Sequence, residues 1–283
     1  MRTIRDHPVR FGELAGPLVH GANFFHWQLV STQELATAVE YPFEDLVDDD
    51  AIPYAPVVVD ATVHRYPRFG DAVSVETTPT RVGDSSLQVV YEAVDENGEP
   101  FSTARMTHVT IAPEGGALAL PEAVRDRLDG RRESRDVDPG PTDDGGPEER
   151  AADHPTFEDA FRIHSPHIEG SELAYFEEYP RFADVALESV LADAGVDPSD
   201  VAGGRQPFRL QSWHWEFNST VAFDSTLSVT TDVQSVTEES IRVEHTFRTD
   251  GEVRIEGLTE YGCFDREGDP TTYTAEMLAP FEP

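Results

Sequence analysis

An α+β architecture, present twice, is what this 283-residue sequence predicts. Three observations carry that expectation. Long stretches alternate apolar and polar side chains at period two, as in Val57, Val59, Ala61 and Val63, and again in Leu87, Val89, Tyr91 and Ala93; this is the mark of strands with one buried face. A strongly apolar helical segment precedes those strands in each half. The halves also repeat: SVETT at 74–78 precedes SVTTD at 228–232 by 154 positions, VGDSSL at 82–87 precedes VTEESI at 236–241 by 154, and Gly16 precedes Gly170 by 154. A constant offset over this length marks duplicated domains.

Taken in order, the first copy opens with a short strand and a glycine-containing loop. A helix is expected from Asn23 to Glu40. Asn23 is a candidate N-cap, since its side-chain oxygen can accept from a free first-turn N–H. Phe24, Phe25, Trp27, Leu29, Val30, Leu35, Ala36, Ala38 and Val39 leave that helix little polar face, so it should be buried. The strands that follow turn at DENG, 95–98, which fits antiparallel hairpins. In the second copy the regular helix is expected from Pro180 to Ala194, with Pro180 in the first turn where its missing N–H costs nothing. Strands are expected at 208–217, 226–233, 240–248 and 252–264. Between the copies, 129–155 is rich in Gly, Pro and charge and reads as a linker. The expected division is a first domain at 1–128, a linker at 129–155 and a second domain at 156–283.

Charge narrows the functions open to the chain. There are 55 acids against 21 bases, a formal net charge of −34, and every base is arginine. The acids are spread along the whole sequence, and lysine is absent. This balance fits a protein kept soluble in concentrated salt, where at ~1 M the Debye length is about 3 Å and self-repulsion is screened. It argues against nucleic acid and against anionic membrane surfaces as partners. Cys263 is the single cysteine, so no intrachain disulfide can form. The start MRTIRDHPVRF lacks a signal-peptide core, and no stretch approaches the ~18 apolar residues of a membrane span. A cytoplasmic location is expected.

The motifs of the first copy resemble a known family. VRFGELAGPLVHGANFFHW, 9–27, is similar to the pattern V-R-F-x-(D/E)-x-D-x-x-G-x-V-H-x-A-N-Y-x-x-W. VVVDATVHRYPRFGD at 57–71, RVGDSSL at 81–87, ARMTHVTIAP at 104–113 and PEAVRDRL at 121–128 follow in the family's order. Together they resemble the 4-hydroxybenzoyl-CoA thioesterase-like branch of the hot-dog fold, in which a curved antiparallel sheet wraps one long helix. The resemblance covers essentially all of copy one, and copy two joins it through the repeat. It implies a tandem hot-dog protein whose two copies form an intramolecular pseudo-dimer; further homo-oligomerisation stays open. It also implies hydrolysis of an acyl-CoA thioester without metal or organic cofactor.

One departure bears on the chemistry. The family's catalytic aspartate sits three residues before the loop glycine, where this chain has Glu13, with altered spacing on either side. Glu13 is therefore the expected base or nucleophile, unless the carboxylate is absent altogether. His20 and Asn23 would hold water or the thioester. The helix start around Gly21, Ala22 and Phe24 would offer N–H groups to the oxyanion. Each also has a plain structural reading: Asn23 as a cap, His20 as a satisfied loop histidine, Glu13 as a solvated acid. His26 reads as structural or as a pocket liner. In copy two, Ala174 falls near the position of His20 and Glu177 near that of Asn23, so the pair is lost there; Glu177 or Glu178 could face the first loop and supply a carboxylate across the interface. His164, His167, Glu169, Glu172, Glu177 and Glu178 crowd one segment without a diagnostic metal spacing. Arg65, Arg68 and Arg81 lie where family members bind the nucleotide end of coenzyme A, and arginine grips phosphate bidentately. No glycine pattern for nucleoside triphosphates or nicotinamide cofactors is present. Two other readings remain: a hot-dog hydratase-dehydratase for enoyl or hydroxyacyl thioesters, which would need an Asp and a His together, and a non-catalytic acyl-CoA-binding protein.

Overall fold

The structure is a computed structural model that describes residues 1–135, 137, 140–141, 154–170, 172–197 and 202–283. In the first half, β1 (Arg2–Pro8) leads through a 3-10 turn at Phe11–Glu13 to a two-residue hairpin, β2 (Leu14–Ala15) and β3 (Leu18–Val19). Helix α1 (Ala22–Ala38) follows, then a short α2 (Phe43–Asp48) and four long strands: β4 (Ile52–Val63), β5 (Ala72–Val82), β6 (Ser86–Val94) and β7 (Pro100–Ile111). Helix α3 (Glu122–Asp129) ends this half, so the boundary expected at 128 falls in its last turn. The second half runs β8 (Thr156–Arg162), α4 (Glu178–Asp193), β9 (Gln206–Phe217), β10 (Thr226–Val236), β11 (Ser240–Thr249), β12 (Glu252–Phe264) and β13 (Pro270–Thr271). Strands β8, β9, β10 and β11 each begin 154 residues after β1, β4, β5 and β6, the offset read from the sequence.

All the long strands join one antiparallel sheet in the order β1-β5-β6-β7-β4-β9-β12-β11-β10-β8. Its midpoint is the β4–β9 pair, where Asp60 lies opposite His214, flanked by Val59 opposite Trp215 and Ala61 opposite Trp213. Asp60 and His214 are themselves repeat-equivalent, so the pseudo-two-fold axis passes through this pair. His214 Nδ1 and Asp60 Oδ1 are 2.6 Å apart, and this hydrogen bond raises the His214 pKa. A raised histidine stabilises the fold below its unfolded value of about 6.5 and loses that contribution as pH climbs through the folded value. His214→Gln should therefore flatten the decline of stability above pH 6.5, measured by denaturant unfolding at successive pH values.

Both helices bury against the sheet, and the two halves share one continuous apolar cluster. Phe25 of α1 stacks on Trp213 at 4.8 Å and meets Phe176 at 5.0 Å, both residues of the other half. Trp213 and Trp215 alternate on β9 and are both fully buried, as core residues. Helix α1 starts one residue earlier than expected and ends at Ala38, just before Glu40, which adopts a left-handed φ of 55°; a residue in that conformation ends a helix. Helix α4 also starts earlier, at Glu178, which keeps Pro180 within the first turn. Part of the expected linker is packed: Val137, Gly140 and Pro141 are buried, and Gly140 lies against the backbone of Trp213 with no room for a Cβ. Residues 142–153 of that segment lie outside the described residues. No helix among the described residues is long and apolar enough to cross a membrane.

Candidate active site

The site is built where the loop before α1 meets α4 of the other half. The loop is tied to α1 by Asn23, which is not an N-cap. Gly21 occupies the cap position, and Asn23 lies inside the helix with its Nδ2 donating to the carbonyls of Glu13 (2.9 Å) and His20 (3.2 Å). The sequence does not separate these roles, because an asparagine two residues further in can satisfy backbone groups of the incoming loop instead of the helix's own. Three N–H groups of the helix start expected to face an oxyanion are already used: Ala22 donates to His20 Nδ1 (3.1 Å), Asn23 to the His20 carbonyl and Phe24 to the Gly21 carbonyl. Gly21, Ala22 and Phe24 are buried. A Cβ on Gly21 would meet Leu210 Cδ1 at 2.8 Å, so glycine is needed there for packing against β9 rather than for access by a ligand.

Glu13 is engaged by the turn and by β1, and its charge also acts on His26 of α1. Its carboxylate accepts from the Arg10 N–H (2.5 Å) and pairs with His7 Nε2 (2.8 Å), while its backbone carbonyl receives Asn23 and the His20 N–H. Both carboxylate oxygens thus hold the turn together. Glu177 does reach the first half, but it meets His26, whose Nδ1 lies 2.6 Å from Glu177 Oε2; that hydrogen bond raises the His26 pKa. This pair braces the two helix starts.

The acid that faces His20 is Asp184 of α4. His20 Nε2 and Asp184 Oδ2 are 3.6 Å apart, with both side chains about three-quarters buried (23% and 22% exposed). The separation exceeds a hydrogen bond, which leaves two polar groups converging on one point. Because His20 Nδ1 accepts from Ala22, the ring proton belongs on Nε2, directed at the acid. Burial, then Arg181 and Arg209, lowers the His20 pKa to about 4. Burial raises Asp184 to about 7, against the pull of Arg209 and Arg181. The outcome near neutrality is a neutral imidazole donor beside a carboxylate poised between its two states. Arg209 also fastens the loop, donating from Nη2 to the Ala15 carbonyl (2.5 Å) next to Gly16, whose φ of 71° suits glycine.

Asp184 is the residue that sequence reasoning missed. It sits between Phe182, Ala183, Ala186 and Leu187, all buried. An acid on the apolar stripe of a helix is itself a signal, since such a group needs a partner or a function. The arginines expected to bind coenzyme A do not form one site. Arg65 is bound to Asp95 (2.6 Å) and stacks over Phe101 at 4.1 Å. Arg68 lies before β5 near Asp71, whereas Arg81 lies at the far end of that strand; at about 3.3 Å per residue the two are ~30 Å apart along β5. Among the described residues no group of three or more His, Cys, Asp and Glu side chains is arranged to hold a metal ion.

Glu13→Gln tests whether the loop carboxylate is catalytic. With its role confined to hydrogen bonds in the turn, kcat/KM should fall less than about tenfold. A fall of about 10²–10⁴ in a steady-state thioester assay would return the base role to Glu13.

No family model matches the sequence, and no curated protein matches it. Solved structures do match across almost the whole chain. A protein assigned as an oleoyl thioesterase from Lactobacillus plantarum superposes with a TM-score of 0.70 at 11% identity, covering 94% of this chain and 95% of its own. The 12:0-ACP thioesterase from Umbellularia californica gives 0.68 at 14%, covering 90% and 94%. An acyl-ACP thioesterase from Bacteroides thetaiotaomicron gives 0.63 at 14%, covering 92% and 96%. With the offset of 154 and the β4–β9 junction already described, this likeness establishes the architecture: the chain is a tandem double hot-dog, two helix-wrapping halves in one continuous sheet.

Proposed function

We propose that the protein hydrolyses an acyl thioester, with acyl-CoA as the substrate, at the junction of the loop before α1 with α4. The observation that carries this reading is the His20–Asp184 pair: a neutral Nε2–H donor and a buried carboxylate converge across the two halves, 3.6 Å apart. In this reading Asp184 takes a proton from water as that water attacks the thioester carbon. His20 Nε2–H stabilises the oxyanion that forms, in place of the Ala22, Asn23 and Phe24 N–H groups, which are already bonded. Glu13 and Asn23 position the loop, and Glu177 acts through His26 as a brace. The double hot-dog architecture, shared with proteins named as thioesterases, supports the same reading.

The test is release of free thiol from a panel of acyl-CoAs of increasing chain length, followed with a thiol-reactive dye. Hydrolysis of at least one chain length is expected; no release from any of them, or from the same acyl groups on carrier protein, would overturn the proposal. A second reading is favoured by the same pair, since hydration of an enoyl thioester also needs Asp and His together. It would show as loss of enoyl absorbance without thiol. The lysine-free composition and net charge of −34 support work in concentrated salt, and we infer a cytoplasmic setting.

A further inference from the structure

Phe11 and Phe69 are the two most exposed large apolar side chains among the described residues, at 81% and 64%. They are also in contact: their ring centroids lie 6.4 Å apart, with the planes at 83°. Single exposed apolar residues are ordinary on a folded protein. Two bulky rings held against each other in water, on separate loops, add nothing to the core.

The loops that carry them are stitched to the strand that delivers His20. The Val9 N–H donates to the Asp71 carbonyl (2.8 Å), the Gly70 N–H to the Val9 carbonyl (3.4 Å) and the Val19 N–H to the Pro67 carbonyl (2.9 Å). Leu18 bridges Arg68, and His20 follows Val19 directly. Arg10 precedes Phe11 and Arg68 precedes Phe69, and both arginines are exposed. Arg68 Nε lies 4.0 Å from Asp71 Oδ2, and Arg10 makes no side-chain ion pair among the described residues. The acids of these loops are engaged by backbone: Glu13 accepts from the Arg10 N–H and Asp71 from the Arg68 N–H (2.9 Å). The rim beside His20 thus presents two rings and two guanidinium groups to solvent, in a chain of net charge −34.

The second half supplies an internal control. Its backbone makes the same stitches: Ile163 N–H to the Ser225 carbonyl (3.0 Å), Asp224 N–H to the Ile163 carbonyl (3.1 Å) and Ala174 N–H to the Val221 carbonyl (2.8 Å), with Leu173 bridging Ala222. At the offset of 154, however, His164 stands for Arg10, Ser165 for Phe11 and Ala222 for Arg68; only Phe69 keeps a counterpart, Phe223. The fold therefore builds this rim without the ring pair and without the arginines. They occur on the half whose loop carries His20, and not on the half with Ala174 near that position.

Rings at nearly a right angle form a corner in which a flat heterocycle can stack on one face and abut the other ring. A corner open to water suits a heterocycle with solvated edges better than an acyl chain, which needs enclosure. Guanidinium groups beside it match phosphate oxygens. Coenzyme A joins these two features, an adenine and phosphates, in one acyl carrier. We propose that Phe11 and Phe69 seat the adenine of coenzyme A, with Arg10 and Arg68 on its phosphates, so that this rim selects CoA thioesters over thioesters that lack the nucleotide. This rests on the acyl-CoA reading of the His20 site, and the experiment keeps the two claims apart.

Binding of free coenzyme A, which needs no turnover, is measured by titration calorimetry, and hydrolysis of one acyl group is compared on CoA and on pantetheine. Phe11→Ala and Phe69→Ala should each weaken CoA binding about tenfold. Each should lower the ratio of kcat/KM for acyl-CoA to that for acyl-pantetheine by a similar factor. Arg10→Gln and Arg68→Gln should act in the same direction at low salt, with the loss shrinking as added salt screens the charges. Phe223→Ala, the equivalent ring of the other half, should match wild type in both measurements. These side chains are all exposed, so the variants should keep the wild-type melting temperature. CoA binding that is equal in wild type and both ring variants, or an equal loss on acyl-CoA and acyl-pantetheine, would overturn the proposal. So would ring variants that change the oligomeric state while binding CoA as wild type does, which would assign the rings to a contact between copies. If no thioester is hydrolysed but CoA binds to wild type and about tenfold more weakly to Phe11→Ala, the nucleotide seat stands and the hydrolytic reading fails.

Discussion

Replacing Asp184 by Asn should cut turnover by orders of magnitude and stabilise the protein above pH 7 at the same time. As general base, its loss is expected to cost about 10²–10⁴ in kcat. The stability gain follows from linkage. Burial raises the Asp184 pKa from 3.8 to about 7, so the folded state binds the proton more tightly than the unfolded one. Such a group adds most stability when protonated and loses that contribution as pH rises between about 4 and 7. Above pH 7 the wild type carries the full cost of a buried charge. Three units at 1.36 kcal/mol each set a ceiling of about 4 kcal/mol, which partial solvent access lowers to ~2–4 kcal/mol. The neutral amide removes this cost. Wild type and variant should therefore match near pH 4, and the variant should be the more stable at pH 8, as measured by denaturant unfolding. A variant that is inactive and less stable at pH 8 would mean that Asp184 is held by partners and is not poised for chemistry.

His20→Ala should lower kcat by about 10²–10³ with little change in KM, the effect of removing one donor that acts mainly on the transition state. The imidazole does two things that the sequence could not reveal together. Its Nδ1 receives the Ala22 N–H and so fixes the tautomer, and its Nε2–H faces Asp184. With a pKa near 4, it stays neutral from pH 5 to 9 and adds no second inflection there. His20→Gln keeps both a donor and an acceptor and should recover part of the loss. Equal activity of wild type and His20→Ala would leave His20 as a structural cap only.

The double α+β architecture was legible because its signals are local. Period-two strands, one apolar helix per copy and the 154 offset need no knowledge of how the halves meet. That offset even locates the axis, since Asp60 and His214 are equivalent and face each other. The site was only half legible. Its loop was found through Glu13, His20 and Asn23, but their roles depend on contacts that cross the repeat. Glu13 turns to His7 because β1 passes beside it, and Asn23 serves the loop because Gly21 occupies the cap position. Glu177 reaches across the interface as expected but stops at His26. Asp184 has no neighbour in sequence that identifies it, apart from the apolar stripe it interrupts. The mistaken grouping of Arg81 with Arg65 and Arg68 was avoidable, because the length of β5 alone separates them.

The central claim is that a carboxylate with a pKa near 7, facing a neutral histidine, carries the chemistry. Its most direct test is the pH dependence of kcat/KM for thioester hydrolysis from pH 5 to 9. The account predicts a tenfold rise per pH unit on the acid side, bending to a plateau at about pH 7. A profile that is flat across this range, or one whose plateau is already reached at pH 5, would contradict it.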